Sequence, residues 1–261
     1  MTRVLSAVVL IPIVVGTVWF LPPLATLILA EIAAVLAFIE YADLAAALGT
    51  RIPRAVSAAA VVAACAAVAA WPTPLDLVAI TALIVVGSLA VAAGSPGPAV
   101  LRDAASALFP LLYIGVPLGA LAAVRSFGRE ALLLLMATIV ISDSAQYYSG
   151  RAFGRRLLAP AISPKKTVEG AIGGLILGTL AMTAGGTRVF PGVSLPLLML
   201  VSAAVVAIGM VGDLFESLLK RSAGVKDSSL LIPGHGGVLD RIDSWLFAGP
   251  VFYVFTRYLQ P

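Results

Sequence analysis

The chain has 261 residues, 61% of them apolar and only 11% charged, with a mean hydropathy of +1.07. Soluble domains carry about 25% charged residues, so this composition excludes a water-soluble globular domain and describes a polytopic membrane protein. The formal charge of +4 belongs to the connecting loops and gives no ground for expecting a nucleic-acid partner.

Apolar windows predict nine spans: Leu5–Leu21, Leu24–Leu48, Ala55–Trp71, Leu75–Ala93, Ala104–Val124, Ala131–Ser149, Val168–Gly186, Val193–Val211 and Ser244–Leu259. Most approach the ~20 residues a helix needs to cross the hydrocarbon core. Open strands cannot satisfy their backbone groups in lipid, so the expected fold class is all-α. The first window is interrupted by Pro12 and closed by Pro22-Pro23 without a small-x-small cleavage pattern, and reads as a retained helix. Pro72-Thr73-Pro74 makes a tight connection, so the third and fourth windows are the least distinct as separate crossings. Cys65, the single cysteine, has no internal disulfide partner and reads as a small packing residue within the third window.

With the N-terminus inside, the cytoplasmic segments hold Arg3, Arg51, Arg54, Arg102, the basic residues of the 150–167 loop and those of the 212–243 loop, 13 of the 17 Lys and Arg. The positive-inside rule therefore favours nine spans with a cytoplasmic N-terminus. Gly170, Gly174 and Gly178 form a small-xxx-small ladder on the seventh span, a pattern that lets two helices approach closely.

Three polar sets lie at membrane depth or at its cytoplasmic edge. Asp213, Glu216, Ser217 and Lys220 recur at i, i+3, i+4 and i+7 and so share one helical stripe; Asp143, Gln146, Tyr147 and Gly150 repeat that spacing; the third set is Glu31, Glu40 and Asp43. A buried carboxylate in a span costs at least ~2.5–3.5 kcal/mol unless paired or wet. Asp143 and Asp213 therefore call for partners, with a structural ion pair as the alternative to a functional role. Asp240 and Asp243 would share a face if the last helix begins there, and two neighbouring carboxylates suit a hard divalent ion such as Mg²⁺. Asp213 is the natural third ligand if the last two helices pack together, and Asp227 is a weaker fourth. The alternative is an Asp–Arg–Asp ion pair around Arg241.

The basic residues point to phosphate. Lys165-Lys166-Thr167 precedes the seventh helix, where Thr167 is placed to cap an N-terminus suited to anions. Gly234-His235-Gly236-Gly237 is backbone able to approach a phosphate closely, and the only histidine, His235, is a candidate donor to one. Topology alone explains positive loops; it does not explain carboxylates interleaved with them.

The stretch Ser217 to Asp243 resembles the signature of the phosphatidate cytidylyltransferases (CDP-diacylglycerol synthases) at Ser217, Lys220, Arg221, Lys226, Asp227, His235, Gly236, Gly237, Asp240, Arg241 and Asp243. A second block, Asp143 to Arg151 and Ser163 to Gly170, is similar to that family's other polar segment, with Val168 where an aromatic residue is usual. The resemblance covers the region from about Leu111 onward and divides the chain into N-terminal helices, 1–103, as scaffold or oligomerisation part, and a catalytic bundle, 104–261. It implies conversion of CTP and phosphatidic acid to CDP-diacylglycerol and pyrophosphate at the cytoplasmic face of a bacterial inner membrane. It also implies Mg²⁺, a second monovalent cation such as K⁺, and a homodimer. On that basis the lipid phosphate attacks the α-phosphorus of CTP, with Asp213, Asp240 and Asp243 on Mg²⁺ and Lys220, Arg221, Lys226 and Arg241 on the triphosphate. Lys165, Lys166 and Arg151 would gather the lipid phosphate or assist with CTP, with Asp143, Ser163, Thr167, Ser217 and the glycines completing the substrate cavity. A CTP-dependent lipid-alcohol kinase with Asp143 as base, and a cation-coupled transporter, are the competing readings. The transporter reading leaves the interleaved Lys/Asp loop unexplained and finds no internal symmetry in the chain.

Overall fold

The computed structural model describes residues 2–69, 74–94, 96–232, 234 and 236–259. His235, and most of the expected Pro72–Pro74 connection, lie outside the described residues.

A helix occupies each apolar window. They are α1 (Thr2–Phe20), α2 (Pro23–Ala47), α3 (Arg54–Ala69), α4 (Leu75–Ala92), α5 (Ala99–Pro110), α6 (Val116–Val124), α7 (Arg129–Phe153), α8 (Val168–Val189), α9 (Leu195–Ser222) and α10 (Leu239–Val254). Six stretches are long and apolar enough to cross a membrane: α2, α4, the continuous rod Ala99–Phe127 that contains α5 and α6, α7, α8 and α9. The chain is thus a mostly helical integral membrane protein. α9 runs past the apolar window to Ser222 and α10 starts ahead of its window at Leu239, so both carry their polar residues on helical turns beyond the apolar stretch.

The described residues depart from uniform α-helix at a β-hairpin, at π turns Leu111–Gly115 and Phe255–Leu259 and at a 3₁₀ turn Arg125–Phe127. Strands β1 (Leu157–Ala159) and β2 (Ser163–Thr167) form an antiparallel hairpin, with Leu157 opposite Thr167 and Ala159 opposite Ser163. Pro160 and Pro164 oppose helix there. The π-helical turn Leu111–Gly115 lies inside the Ala99–Phe127 rod. Pro117 has no N–H to return to the carbonyl of residue 113, and the wider turn just before it, where Val116 N donates to Leu111 O, absorbs that break. Pro110 likewise leaves the Ser106 carbonyl without its helical donor; the Tyr41 hydroxyl donates to it instead at 3.0 Å.

The chain forms two compact units, Met1–Ala123 with Leu219–Arg241, and Val124–Leu218 with Ile242–Pro261. In the first, α3 packs on the rod through glycine: a Cβ on Gly115 would stand 2.6 Å from the Val61 carbonyl oxygen, and one on Gly119 would stand 2.5 Å from that of Cys65. Cys65 itself is fully buried, consistent with a packing residue. In the second unit the predicted glycine ladder holds α8 against α7. A Cβ on Gly170 would meet the Gln146 carbonyl oxygen at 2.7 Å and one on Gly174 the Ser142 carbonyl oxygen at 2.9 Å, while Gly178 faces Val206 and Ser142. Without a hydrophobic force between helices in lipid, such close backbone contact is what holds them. Phe190, Phe252 and Phe255 add a ring cluster with centroids 5.3–6.0 Å apart.

Candidate active site

Within the second unit, the β-hairpin delivers Lys166 from β2 to the carboxylate of Asp213 on α9, and the two form an ion pair with both side chains largely covered. β2 ends in Thr167, whose Oγ1 accepts from Gly170 N at 3.1 Å and caps α8 as expected. Glu169, in the first turn of α8, accepts from the backbone N–H groups of Arg155 and Arg156 at 3.0 and 3.2 Å and ties α8 to the start of the hairpin. Ser163 and Lys165 stand on β2, with Lys165 exposed.

α9 and α10 cross at glycine in the same unit. A Cβ on Gly212 would stand 2.6 Å from the Asp243 carbonyl oxygen and 2.9 Å from the Phe247 Cβ. Only glycine permits this approach, and it brings the backbone of Asp243 against the residue next to Asp213. The Asp243 carboxylate accepts from Ser244 N at 2.6 Å. On α7, Asp143 is exposed and accepts from Gln146 Nε2 at 3.0 Å, and Arg151 donates to the Tyr147 hydroxyl at 3.3 Å.

In the first unit, Lys220 at the end of α9 pairs with Oδ1 of Asp240 in the first turn of α10, and both side chains are buried. Oδ2 of Asp240 accepts from Ser228 N at 2.9 Å, Ser228 Oγ at 2.8 Å and Gly237 N at 2.7 Å. Burial pushes the Asp240 carboxyl up, but the Lys220 ammonium and the donors of Gly237 and Ser228 outweigh it and hold the group below the usual carboxylate range. Arg221 donates to the Val225 carbonyl at 3.0 Å; Lys226, Asp227 and Arg241 are exposed and Ser217 is half-buried.

Gly236 and Gly237 each face a carboxylate. A Cβ on Gly236 would stand 2.5 Å from Asp240 Oδ2, and one on Gly237 would collide with Ser228 Oγ and both carboxylate oxygens of Glu40. Glu40 is the functional-site neighbour that sequence reasoning did not connect. It is 3% exposed, and its carboxylate accepts from Ser228 Oγ at 2.9 Å, Ser229 Oγ at 2.7 Å, Val238 N at 2.9 Å and Leu239 N at 2.7 Å. The signal available was an acidic residue inside an apolar span; nothing local points from it to a loop some 190 residues away. Asp43, of the same sequence set, makes an exposed ion pair with Arg54 at 2.6 Å.

Among the described residues no three acidic, histidine or cysteine side chains stand close enough together to hold a metal ion. Taken singly, Asp213, Asp240 and Asp243 are hard oxygen donors of the kind a divalent cation takes. Asp213 Oδ2 and Asp240 Oδ1 each carry a lysine ammonium, a cation of the charge sign such an ion would bring. These carboxylates can therefore hold positive charge and, by exchange, release a lysine to a phosphate.

A profile described as the cytidylyltransferase family matches residues 1–259. The chain is 48% identical over 137 residues to a phosphatidate cytidylyltransferase of Haemophilus influenzae, covering 49% of this chain and 46% of that protein. It is 39% identical to proteins of the same description from Staphylococcus saprophyticus, over 152 residues, and Helicobacter pylori, over 155; these matches cover 58% and 59% of this chain and 58% of each relative. The chain spans about half the length of the curated relatives it matches. With its polar helix ends, its lysine–carboxylate pairs and a family match along nearly its whole length, the chain belongs to the cytidylyltransferase family.

Proposed function

We propose that the protein transfers the cytidylyl group of CTP to phosphatidic acid, giving CDP-diacylglycerol and pyrophosphate. The observation that carries this reading is the α9–α10 crossing at Gly212, which sets Asp243 beside the turn bearing Lys166-paired Asp213, in a chain of the cytidylyltransferase family. Relatives described as phosphatidate cytidylyltransferases support the choice of lipid substrate.

In this mechanism an oxygen of the lipid phosphate attacks the α-phosphorus of CTP in line. A new P–O bond forms, the bond from the α-phosphorus to the α,β-bridging oxygen breaks, and pyrophosphate leaves with that electron pair. Catalysis is positioning and charge neutralisation, with no covalent enzyme intermediate. Lys220, Arg221, Lys226 and Arg241 bind the triphosphate and the departing pyrophosphate, while Lys165, Lys166 and Arg151 gather the lipid phosphate. Lys166 and Lys220 exchange their aspartates for phosphate oxygens, one anion for another. Asp213, Asp240 and Asp243 would hold Mg²⁺, which supplies positive charge to the phosphate oxygens when bound; a monovalent ion such as K⁺ is proposed beside it. Asp143 completes the polar cavity, and His235 orients a phosphate.

We further propose nine crossings with the N-terminus and both polar loops on the cytoplasmic side of a bacterial inner membrane, N-terminal helices 1–103 as scaffold, catalysis within 104–261, and a homodimer. The asymmetric distribution of Lys and Arg supports the orientation.

Purified protein given Mg²⁺, labelled CTP and phosphatidic acid is expected to yield CDP-diacylglycerol and one pyrophosphate per lipid. A product formed only from a lipid alcohol, carrying the γ-phosphate label, would overturn this assignment in favour of a kinase.

A further inference from the structure

The loop between α9 and α10 carries Lys226 and joins the helix ends that bear the other candidate triphosphate-binding side chains, Lys220 and Arg221 on α9 and Arg241 on α10, yet it has little secondary structure of its own. It bends at Gly224, Gly234 and Gly236, which have φ of 73°, 78° and 81°, and it is drawn together by an isolated bridge between Ile232 and Gly236. Gly224, Ser228, Ser229, Gly234, Gly236 and Gly237 lie in it, and irregular chain of this kind loses its order unless its backbone groups find fixed partners. The partners are two buried carboxylates. Asp240 gathers Ser228 and Gly237 from within the loop's own vicinity. Glu40 comes from α2 and gathers four donors, two serine hydroxyls and two successive backbone N–H groups.

Those two N–H groups, Val238 and Leu239, are the entry to α10, where the first helical turn leaves donors without intrahelical acceptors. A carboxylate there satisfies them and also suits the positive end of the helix dipole. Glu40 fixes Ser228 and Ser229 as well, so the far arm of the loop is tied to the first turn of α10 through one side chain. The close fit is enforced at Gly237, where any Cβ would strike Glu40. Ser228 Oγ has one proton and lies within hydrogen-bond distance of both Glu40 and Asp240, so the two carboxylates are linked by a hydroxyl that serves one of them at a time.

We propose that Glu40 is a positioning residue for the nucleotide loop: its carboxylate sets the conformation in which Lys226, Asp227, Asp240 and Arg241 are presented. This inference rests on the function proposed above for its catalytic consequence, and on the hydrogen bonds alone for its physical content. It assigns a part in the site to the N-terminal helices, which would otherwise be scaffold only. The replacement Glu40→Gln keeps the shape but turns an NH₂ toward a ring of donors and removes the charge. Displacements of about 1 Å at phosphate-binding groups cost on the order of 100-fold in rate.

The test uses full-length protein in detergent, comparing wild type, Glu40→Gln, Ser229→Ala and the double variant. Tryptic cleavage after Lys226, followed by mass spectrometry, reports loop order without any need for activity. Glu40→Gln is expected to speed that cut by about tenfold, the loss of roughly one to two hydrogen bonds' worth of protection. It should also lower kcat by about 10- to 100-fold while the KM for phosphatidic acid stays unchanged. Ser229→Ala should speed the cut a few-fold in wild type and add nothing in the Glu40→Gln background, because its partner is already gone. Wild-type cleavage and kcat in Glu40→Gln would overturn the proposal, as would full additivity in the double variant. Should Glu40→Gln fail to fold, Ser229→Ala decides alone: faster loop cleavage supports the clamp and an unchanged rate overturns it. Wild-type protein that is folded but transfers no cytidylyl group sinks the proposed function, and the order of cleavage rates among the variants then decides the role of Glu40 by itself.

Discussion

Asp240 and Asp243 lie three residues apart in α10, yet their surroundings give them different work. Asp240 is buried among Lys220, Ser228 and Gly237, whereas the half-buried Asp243 accepts from its neighbour Ser244 N. Asp243→Asn is therefore expected to lower cytidylyl transfer by about 100-fold or more, the several kcal/mol that charge stabilisation supplies, while cleavage after Lys226 stays at the wild-type rate. Asp240→Asn should lose activity and also loosen the loop, because an amide offers Lys220 no charge and Gly237 N a poorer acceptor. Equal cleavage in both variants would show that Asp240 has no part in holding the loop. At this scale much is legible in the sequence. Thr167 is a helix cap and Asp213 needs a partner, because those residue types have few other uses in so apolar a chain. The identity of the partners is not legible. Lys166 meets Asp213 across 47 positions and Ser228 meets Glu40 across 188, and no local periodicity encodes such pairs.

Elements are legible where a single helix decides them and less so where contacts between elements do. Apolar windows locate the helices because lipid allows little else, and the Gly170–Gly174–Gly178 spacing announces the α7–α8 contact. The hairpin β1–β2 is hidden in a basic, proline-containing loop whose strands are too short to show alternation. The equivalent glycine contact of Gly115 and Gly119 on α3 is hidden too, since a π turn and Pro117 disturb the helical count around it. Pro110 illustrates how an element's defect is repaired from outside: the carbonyl it strands on Ser106 takes the Tyr41 hydroxyl from α2. Tyr41→Phe removes that donor and keeps the ring, which packs against Phe109 with centroids 6.0 Å apart. The substitution is expected to lower stability by ~1 kcal/mol, the usual worth of an interhelical hydrogen bond in a membrane protein, measured by reversible unfolding in mixed detergent micelles. An unchanged midpoint would mean that the Ser106 carbonyl finds another donor as readily.

At the scale of the whole molecule, the proposed reaction needs both polar segments to reach the same aqueous compartment, since CTP is confined to the cytoplasm and the triphosphate and lipid phosphate must meet. The hairpin segment that holds Lys165 and Lys166 is separated from the loop that holds Lys226 and Asp227 by α8 and α9, each long and apolar enough to cross. Two crossings return a chain to the side it left, and the surplus of Lys and Arg in both segments favours the inner side. Three cysteine variants in a Cys65→Ala background test this: Ala161→Cys in the hairpin segment, Leu230→Cys in the α9–α10 loop, at a position 90% exposed, and Gly192→Cys between α8 and α9. A membrane-impermeant maleimide applied to intact cells should label the Gly192 variant only, and inverted inner-membrane vesicles should reverse the pattern for all three. Labelling of the Ala161 and Leu230 variants from opposite sides would separate the two phosphate-binding segments by a bilayer, and the lysines of the hairpin could then take no part in a reaction at the α9–α10 loop.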